Sequence, residues 1–197
     1  MRKDYEIILK LIPENSKVLD IGCSDGELIS YLENKGVSAQ GVELNQEKVI
    51  KCLEKGLDVI HGDINLIVED FPFNQFDYCL LTQTIQAVQK PDQLLNTLKK
   101  VSKNIIVSFN NSARLSKISN FLLSGSFDSL LKKADSDHWY NTDYIHPCSI
   151  KDFKKLAENL ELKIISTFDV INQRKFENGK IPSNLFCKEV LFHITDE

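Results

Sequence analysis

Short apolar runs recur along the chain with a helical pattern between successive pairs, and this rhythm limits the possible folds more than any other feature. The first five runs are Ser16–Ile21, Val37–Glu43, Leu57–His61, Phe76–Thr82 and Asn104–Phe109. After the first, Leu28, Ile29, Tyr31 and Leu32 share a helical pattern that stops before Gly36. Asn45 offers an N-cap to a helix that runs to Lys55 with Gly56 as its stop, and Pro91 opens another. Short apolar strands spaced by helices predict a parallel sheet covered on both faces. Two later runs, Leu162–Ile171 and Lys188–Thr195, complete an expected α/β fold: a doubly wound, mostly parallel, seven-stranded sheet.

The rhythm breaks between residues 112 and 147, which hold Ser, Asn, Asp, Gly125 and most of the large aromatics of this half. A loop that long inside a compact domain is uncommon unless it is functional. Leu115–Leu123 and Ser129–Lys133 read as short helices within it. The expectation is one domain over residues 1–197 with an insert or lid at 112–147. Ser149, with Asp152 three residues on, resembles a capping box and opens a helix to about Asn159. Asn172–Asn184 is polar, contains Gly179 and Pro182, and reads as a loop.

With 42% apolar residues in 197, the chain can bury a core. Its net charge is −4, and its lysines form only short clusters such as Lys99, Lys100 and Lys103. These sit near expected helix ends, where cations complement the helix dipole, so nucleic acid is not expected as a partner. No stretch approaches the roughly 20 apolar residues of a membrane span, and the N-terminal apolar run is too short for a signal peptide. Cys23, Cys52, Cys79, Cys148 and Cys187 are scattered and never spaced C-x-x-C. That usage suits reduced thiols in a cytoplasmic protein.

The segment Val18-Leu19-Asp20-Ile21-Gly22-Cys23-Ser24-Asp25-Gly26-Glu27 carries the chemistry. A strand runs into a glycine turn and a helix follows at once, so backbone can approach a ligand where helix N–H groups are unpaired. A phosphate-binding P-loop would need Lys and Ser/Thr after Gly26, where Glu27 and Leu28 stand. A dinucleotide loop would need glycines at Ser24 and Glu27, and Asp20 and Asp25 would repel a pyrophosphate. Gly22-Cys23-Ser24-Asp25-Gly26 fits the G-x-S-x-G elbow of serine hydrolases, but only one strand precedes it and no loop to supply an oxyanion hole. A cationic, phosphate-free nucleoside such as S-adenosylmethionine suits a glycine loop flanked by carboxylates.

Asp20-Ile21-Gly22-Cys23-Ser24-Asp25-Gly26 resembles the first motif of class I methyltransferases, with Ser24 in place of the usual middle glycine. If Ser24 needs positive φ, that substitution carries a strain cost. Glu43, ending the second strand, matches that family's ribose-binding acid, and Gly62-Asp63 the acid facing the adenine. The resemblance implies a pocket for S-adenosylmethionine or S-adenosylhomocysteine built from Asp20, Gly22, Cys23, Ser24, Asp25, Gly26, Glu43, Leu44, Gly62, Asp63, Ile64, Thr82 and Gln83. Taken singly, such acids are more often solvated strand-end charges; acids on successive parallel strands share the edge where ligands bind.

A closer resemblance extends from about Ser16 to Thr195. VLDIGCSDGELISYL (18–32), FDYCLLTQTIQAVQKPDQLL (76–95), IIVSFNN (105–111), HWYNTDYIHPCSIKDF (138–153) and NLFCKEVLFHI (184–194) are similar to the methionine-biosynthesis MetW family. Its most specific parts are the Gln83–Val88 run and the Trp139-Tyr140…His146 segment. Departures are Ser24 and Asn110, where the family tends to have proline. The resemblance implies a methyltransferase-like fold serving methionine synthesis, with homoserine O-acyltransferase as partner.

A methyl-transfer apparatus is harder to find. Thr82-Gln83-Thr84 lacks the Asn/Asp-Pro-Pro-aromatic signature of nucleic-acid amino methylation, and no Pro-Cys nucleophile is present. Candidate bases are His138 and His146, with Tyr140 and Tyr144 as walls. The same tyrosines with Trp139 equally suit a small core holding the insert down. Two histidines eight residues apart without a third ligand do not predict a metal. Two functions follow: a binding partner of homoserine O-acyltransferase that keeps an S-adenosylmethionine pocket, or an active methyltransferase on a small molecule.

Overall fold

The computed structural model describes residues 1–127, 146–177 and 179–196. Helix α1 (Lys3–Leu11) leads into β1 (Lys17–Ile21), α2 (Glu27–Asn34), β2 (Ser38–Glu43), α3 (Gln46–Glu54), β3 (Val59–His61) and the single turn α4 (Ile64–Ile67). Then come β4 (Phe76–Thr82), α5 (Pro91–Val101), β5 (Ser102–Asn110), α6 (Leu115–Ser124), α7 (Ile150–Asn159), β6 (Lys163–Asp169), β7 (Arg174–Glu177) and β8 (Glu189–Thr195). Local chemistry sets several starts. The Asn45 side chain accepts from Lys48 N to cap α3, Pro91 stands in the first turn of α5, and Ser149 and Asp152 form a full capping box on α7.

The strands form one sheet in the order β3-β2-β1-β4-β5-β8-β6-β7. The first five are parallel to their neighbours, and β8, β6 and β7 pair antiparallel. The α/β, mostly parallel expectation holds, with eight strands instead of seven. The extra strand corrects the loop expected over 172–184, because Arg174–Glu177 pairs with β6 from Ser166↔Glu177 to Asp169↔Arg174. Its polar sequence carries no apolar alternation because it lies on the sheet edge, with only Phe176 half-buried.

Two apolar layers wrap the sheet. On one side Leu28, Ile29 and Leu32 of α2 join Tyr5, Ile7 and Ile8 of α1 over Val18, Leu80, Ile106 and Leu191. On the other, Leu94, Leu95 and Leu98 of α5 and Phe153 of α7 cover Leu19, Ile21, Phe109 and Phe192. Alternation along β1 thus sends Leu19 and Ile21 to the α5 side and Asp20 to the α1 side. Phe153 sits 5.3 Å from Phe109 and 4.7 Å from Phe192 between ring centroids, which pins α7 across β5 and β8.

Candidate functional site

Because β1 to β5 run parallel, the chain leaves each of them at the same sheet edge. The loops after β1, β2, β3 and β4 border a cavity of about 740 Å³ there. Six residues expected at a cofactor site line it: Gly22, Glu43, Leu44, Gly62, Asp63 and Ile64. Asp20, Cys23, Ser24, Asp25, Gly26, Thr82 and Gln83 stand outside that lining. Sequence reading missed Asn45, Lys48, Asn65, Thr84 and Gln89, which also face the cavity. Thr84 and Gln89 belong to or adjoin the Gln83–Val88 run, so that run was their signal; Lys48 had none beyond its place in the first turn of a helix.

The glycine loop is held shut by Glu43. One carboxylate oxygen accepts from Ser24 N at 2.8 Å and the other from Asn45 N at 2.9 Å. A charged acceptor thereby ties the turn after β1 to the turn after β2. Gly22 has φ +72°, and a Cβ there would stand 2.7 Å from Thr84 Oγ1. The Thr84 hydroxyl lies 3.1 Å from Ile21 O and 3.2 Å from Thr82 O, so the β4 loop packs directly on this glycine. Only glycine fits both the conformation and the space. Ser24 has φ +54°. The positive φ considered from sequence is present, on a residue with a Cβ. Asp25 is exposed, and its carbonyl accepts from Lys55 Nζ at 2.5 Å. Asp63 caps α4, its Oδ1 accepting from Asn65 N at 2.9 Å and Nδ2 at 2.7 Å. Leu44 O lies 3.0 Å from His61 Nε2, and Gly62 N donates to Glu43 O at 3.1 Å.

Behind the loop, Cys23 is buried beside Cys52, and burial pushes its thiol up, so it stays neutral. Cys52 Sγ donates to Ser24 O at 3.3 Å. Asp20 is 1% exposed, with Oδ1 lacking a hydrogen-bond partner. Loss of solvation pushes its carboxyl up to about 7; Arg2 opposes the shift, and Asp4 and Glu43 reinforce it. Asp4 itself is fully buried, accepting from Arg2 Nη2 at 2.6 Å and from Ser108 Oγ at 2.9 Å. Neither α1 nor Asp4 figured in the sequence reading.

At the far end of the edge, Asn110 Nδ2 donates to Gln83 Oε1 at 2.8 Å, and Gln83 Nε2 donates to Glu189 Oε1 at 2.9 Å. Gln83 holds φ +59°. Burial, then the charge of Asp4, pushes the Glu189 carboxyl up to about 7. His146 N donates to Gln86 O at 3.0 Å, and its Nε2 lies 3.1 Å from Gln89 O, a carbonyl that can only accept. That nitrogen carries a proton, and the ring anchors the chain to the β4 loop. Ser112 N donates to Cys148 O at 2.9 Å, so the two ends of the 112–147 segment meet at the sheet edge. His138, Trp139, Tyr140 and Tyr144 lie outside the described residues, as does the helix expected at Ser129–Lys133. Among the described residues no group of three His, Cys, Asp or Glu could hold a metal, and no helix is long and apolar enough to cross a membrane.

The fold is similar to solved S-adenosylmethionine-dependent methyltransferases. One from Mesorhizobium loti superposes with a TM-score of 0.69 at 12% identity, covering 98% of this chain and 97% of that one. Another from Thermotoga maritima, described as a possible histamine N-methyltransferase, gives 0.69 at 15% identity over 99% and 88%. A third, from Archaeoglobus fulgidus, gives 0.67 at 15% identity over 98% and 91%. At such identities the likeness establishes the fold alone. A curated relative from Rhodopirellula baltica, the bifunctional methionine biosynthesis protein MetXA/MetW, is 31% identical over 202 residues. The alignment takes in 96% of this chain and 32% of that protein, so the chain spans about a third of its relative. The family model for methionine biosynthesis protein MetW matches residues 2–194. With the match running nearly end to end, the chain belongs to the MetW family.

Proposed function

We propose that this protein binds S-adenosylmethionine or its demethylated product and acts in methionine biosynthesis as the partner of a homoserine O-acyltransferase. The carrying observation is the relative whose name joins MetXA to MetW in one polypeptide, of which this chain matches the portion aligned. Two functions combined on one chain in one organism commonly act as separate associating chains in another.

The residues at the sheet edge fit the ligand. A cavity of about 740 Å³ is of the size that takes a nucleoside with a short tail. Glu43 would meet the ribose hydroxyls, since each carboxylate oxygen keeps a lone pair beyond its backbone bond. Asp63 would stand at the base, with Ile64 and Val88 as apolar walls. Asp20 lies behind Gly22, buried, with one carboxyl oxygen lacking a hydrogen-bond partner, and the charge of Arg2, itself engaged by Asp4, is what favours its ionised form. A ligand with a cationic tail compensates it, where a pyrophosphate would not. When bound, S-adenosylmethionine supplies a methyl group on a sulfonium; this chain's residues hold and orient it and exclude water around it.

The second reading, methyl transfer to a small molecule, draws on Glu189. A carboxyl pushed up to about 7 and fixed by Gln83 could accept a proton from an acceptor at neutral pH. The test of the first reading is calorimetric titration with S-adenosylmethionine and S-adenosylhomocysteine, with and without purified acyltransferase. Binding of either nucleoside together with a measurable acyltransferase complex is expected. Absence of both would remove the proposal.

A further inference from the structure

The tail of S-adenosylmethionine is an amino acid, so it carries a carboxylate as well as an ammonium and the sulfonium. The sheet edge at β1, β5 and β8 is rich in acids, which suit the cations and oppose the carboxylate. Asp20 lies next to the end of β1, Glu189 opens β8, and Asp4 accepts from Ser108 Oγ of β5 at 2.9 Å. Arg2 is the guanidinium set among them, and its charge bears on both Asp20 and Glu189. Asp4 grips it side-on, with Nε donating to Oδ1 at 3.1 Å and Nη2 to Oδ2 at 2.6 Å. Nη1 donates to the Tyr5 hydroxyl at 3.1 Å, and the guanidinium carbon lies 4.4 Å from the centre of the Tyr5 ring. The Arg2 side chain nevertheless stays 38% exposed. Among the described residues those bonds use three of its five N–H donors and leave one on each terminal nitrogen.

We infer that Arg2 receives the carboxylate of the ligand's amino-acid tail and so selects nucleosides whose tail is complete. The inference rests on the S-adenosylmethionine reading above and deepens it. The two remaining N–H groups, one on each terminal nitrogen, match the two oxygens of a carboxylate. Asp20, 1% exposed with Oδ1 lacking a hydrogen-bond partner, lies in the field of the same guanidinium. An ammonium and a carboxylate on one carbon thus find opposite charges in one neighbourhood. Without Arg2, the carboxylates of Asp4, Asp20 and Glu189 would repel that of the ligand. Neither Asp20 nor Arg2 lines the nucleoside cavity, which leaves this acidic end for the tail. Lys48 does line it, but from the first turn of α3, close to Asn45 and to the acid placed at the ribose. The Asp4 bond to Ser108 fixes Arg2 to the sheet before the ligand arrives, so less freedom is lost on binding.

The test is calorimetric titration with S-adenosylmethionine and with decarboxylated S-adenosylmethionine, which lacks that carboxylate alone. The decarboxylated ligand has one more net positive charge, so the acidic cluster by itself would favour it. Wild type is expected to prefer S-adenosylmethionine by at least about 10-fold, and Arg2→Gln to abolish or reverse the preference. The double variant Arg2→Gln/Asp4→Asn leaves no carboxylate buried without its cation, so it keeps the test open where the single variant folds poorly. Both ligands are read on one protein, so a general loosening of the site cancels in their ratio. Equal affinity of wild type for the two ligands, or a wild-type ratio in either variant, overturns the assignment and leaves the nucleoside reading standing. A wild type that binds neither ligand removes the nucleoside reading and this assignment together.

Discussion

Glu43 and Ser24 are joined by a 2.8 Å hydrogen bond from the Ser24 backbone N–H to one Glu43 oxygen, while the other oxygen accepts from Asn45 N. The residue placed at the ribose is therefore also the clasp of the glycine loop. Hydrogen bonds to a charged group are worth about 1.5–3 kcal/mol each, so losing both in Glu43→Ala should lower stability by roughly 3–6 kcal/mol. It should also weaken S-adenosylmethionine binding on the order of 10- to 100-fold. Denaturant melts and calorimetry below the variant's transition read the two effects separately. Equal affinity in a folded variant would remove Glu43 from the ligand site.

Ser24 pays for its φ of +54°. A left-handed conformation costs a residue with a Cβ about 1–2 kcal/mol, and glycine gives back about 0.4–1 of that through the freer unfolded chain. Ser24→Gly should therefore stabilise by about 0.5–1 kcal/mol, and Ser24→Val should destabilise. A lower midpoint for the glycine variant in urea would show that the serine contributes something the backbone angle does not explain.

Asp20 gives the protein a pH dependence of definite sign. Its carboxyl is raised from 3.8 to about 7, chiefly by burial. The folded state therefore holds a proton that the unfolded chain releases near pH 4. The stability this brings is complete below about pH 4 and is lost as pH rises through 7, a swing on the order of 4 kcal/mol. Glu189, also raised to about 7, acts in the same direction. Stability measured from pH 5 to 8 should fall, and Asp20→Asn should flatten the profile. A wild-type profile rising over that range would mean that Asp20 is ionised and compensated.

The 112–147 segment is proposed to cover the cavity, since its two ends meet at Ser112 and Cys148 on the strand-end edge. Lids exclude water and complete sites. Limited proteolysis should cut within it more slowly once S-adenosylmethionine is saturating. Identical cutting rates with and without ligand would make it a fixed structural insert.

Much of this architecture was legible because parallel strands buried on both faces write themselves as apolar runs. Asn45, Ser149 and Pro91 marked helix starts by side-chain chemistry that acts within one turn. β7 escaped because an edge strand needs no apolar side, and only its partner β6 defines it. α1 escaped although Tyr5, Ile8 and Ile12 repeat at helical spacing, because the segment was weighed only as a signal peptide, for which its apolar run is too short. Asp4 was invisible for a different reason. A carboxylate in a first helical turn is ordinarily solvated, and the distant Ser108, with the nearby Arg2 and the Tyr5 N–H, makes its burial tolerable. Glu43 and Asp63 could be placed at the edge from sequence, but not the role of Glu43 as a clasp, which depends on the path of the loop after β1.

The central claim is that this chain supports an acyltransferase, and the most direct measurement is the rate of acyl-homoserine formation by that enzyme alone and with this protein added. The account predicts a faster rate with the protein present, reached without stoichiometric consumption of S-adenosylmethionine. An unchanged rate, together with methylated product from a panel of small-molecule acceptors, would contradict it and establish the chain as a methyltransferase.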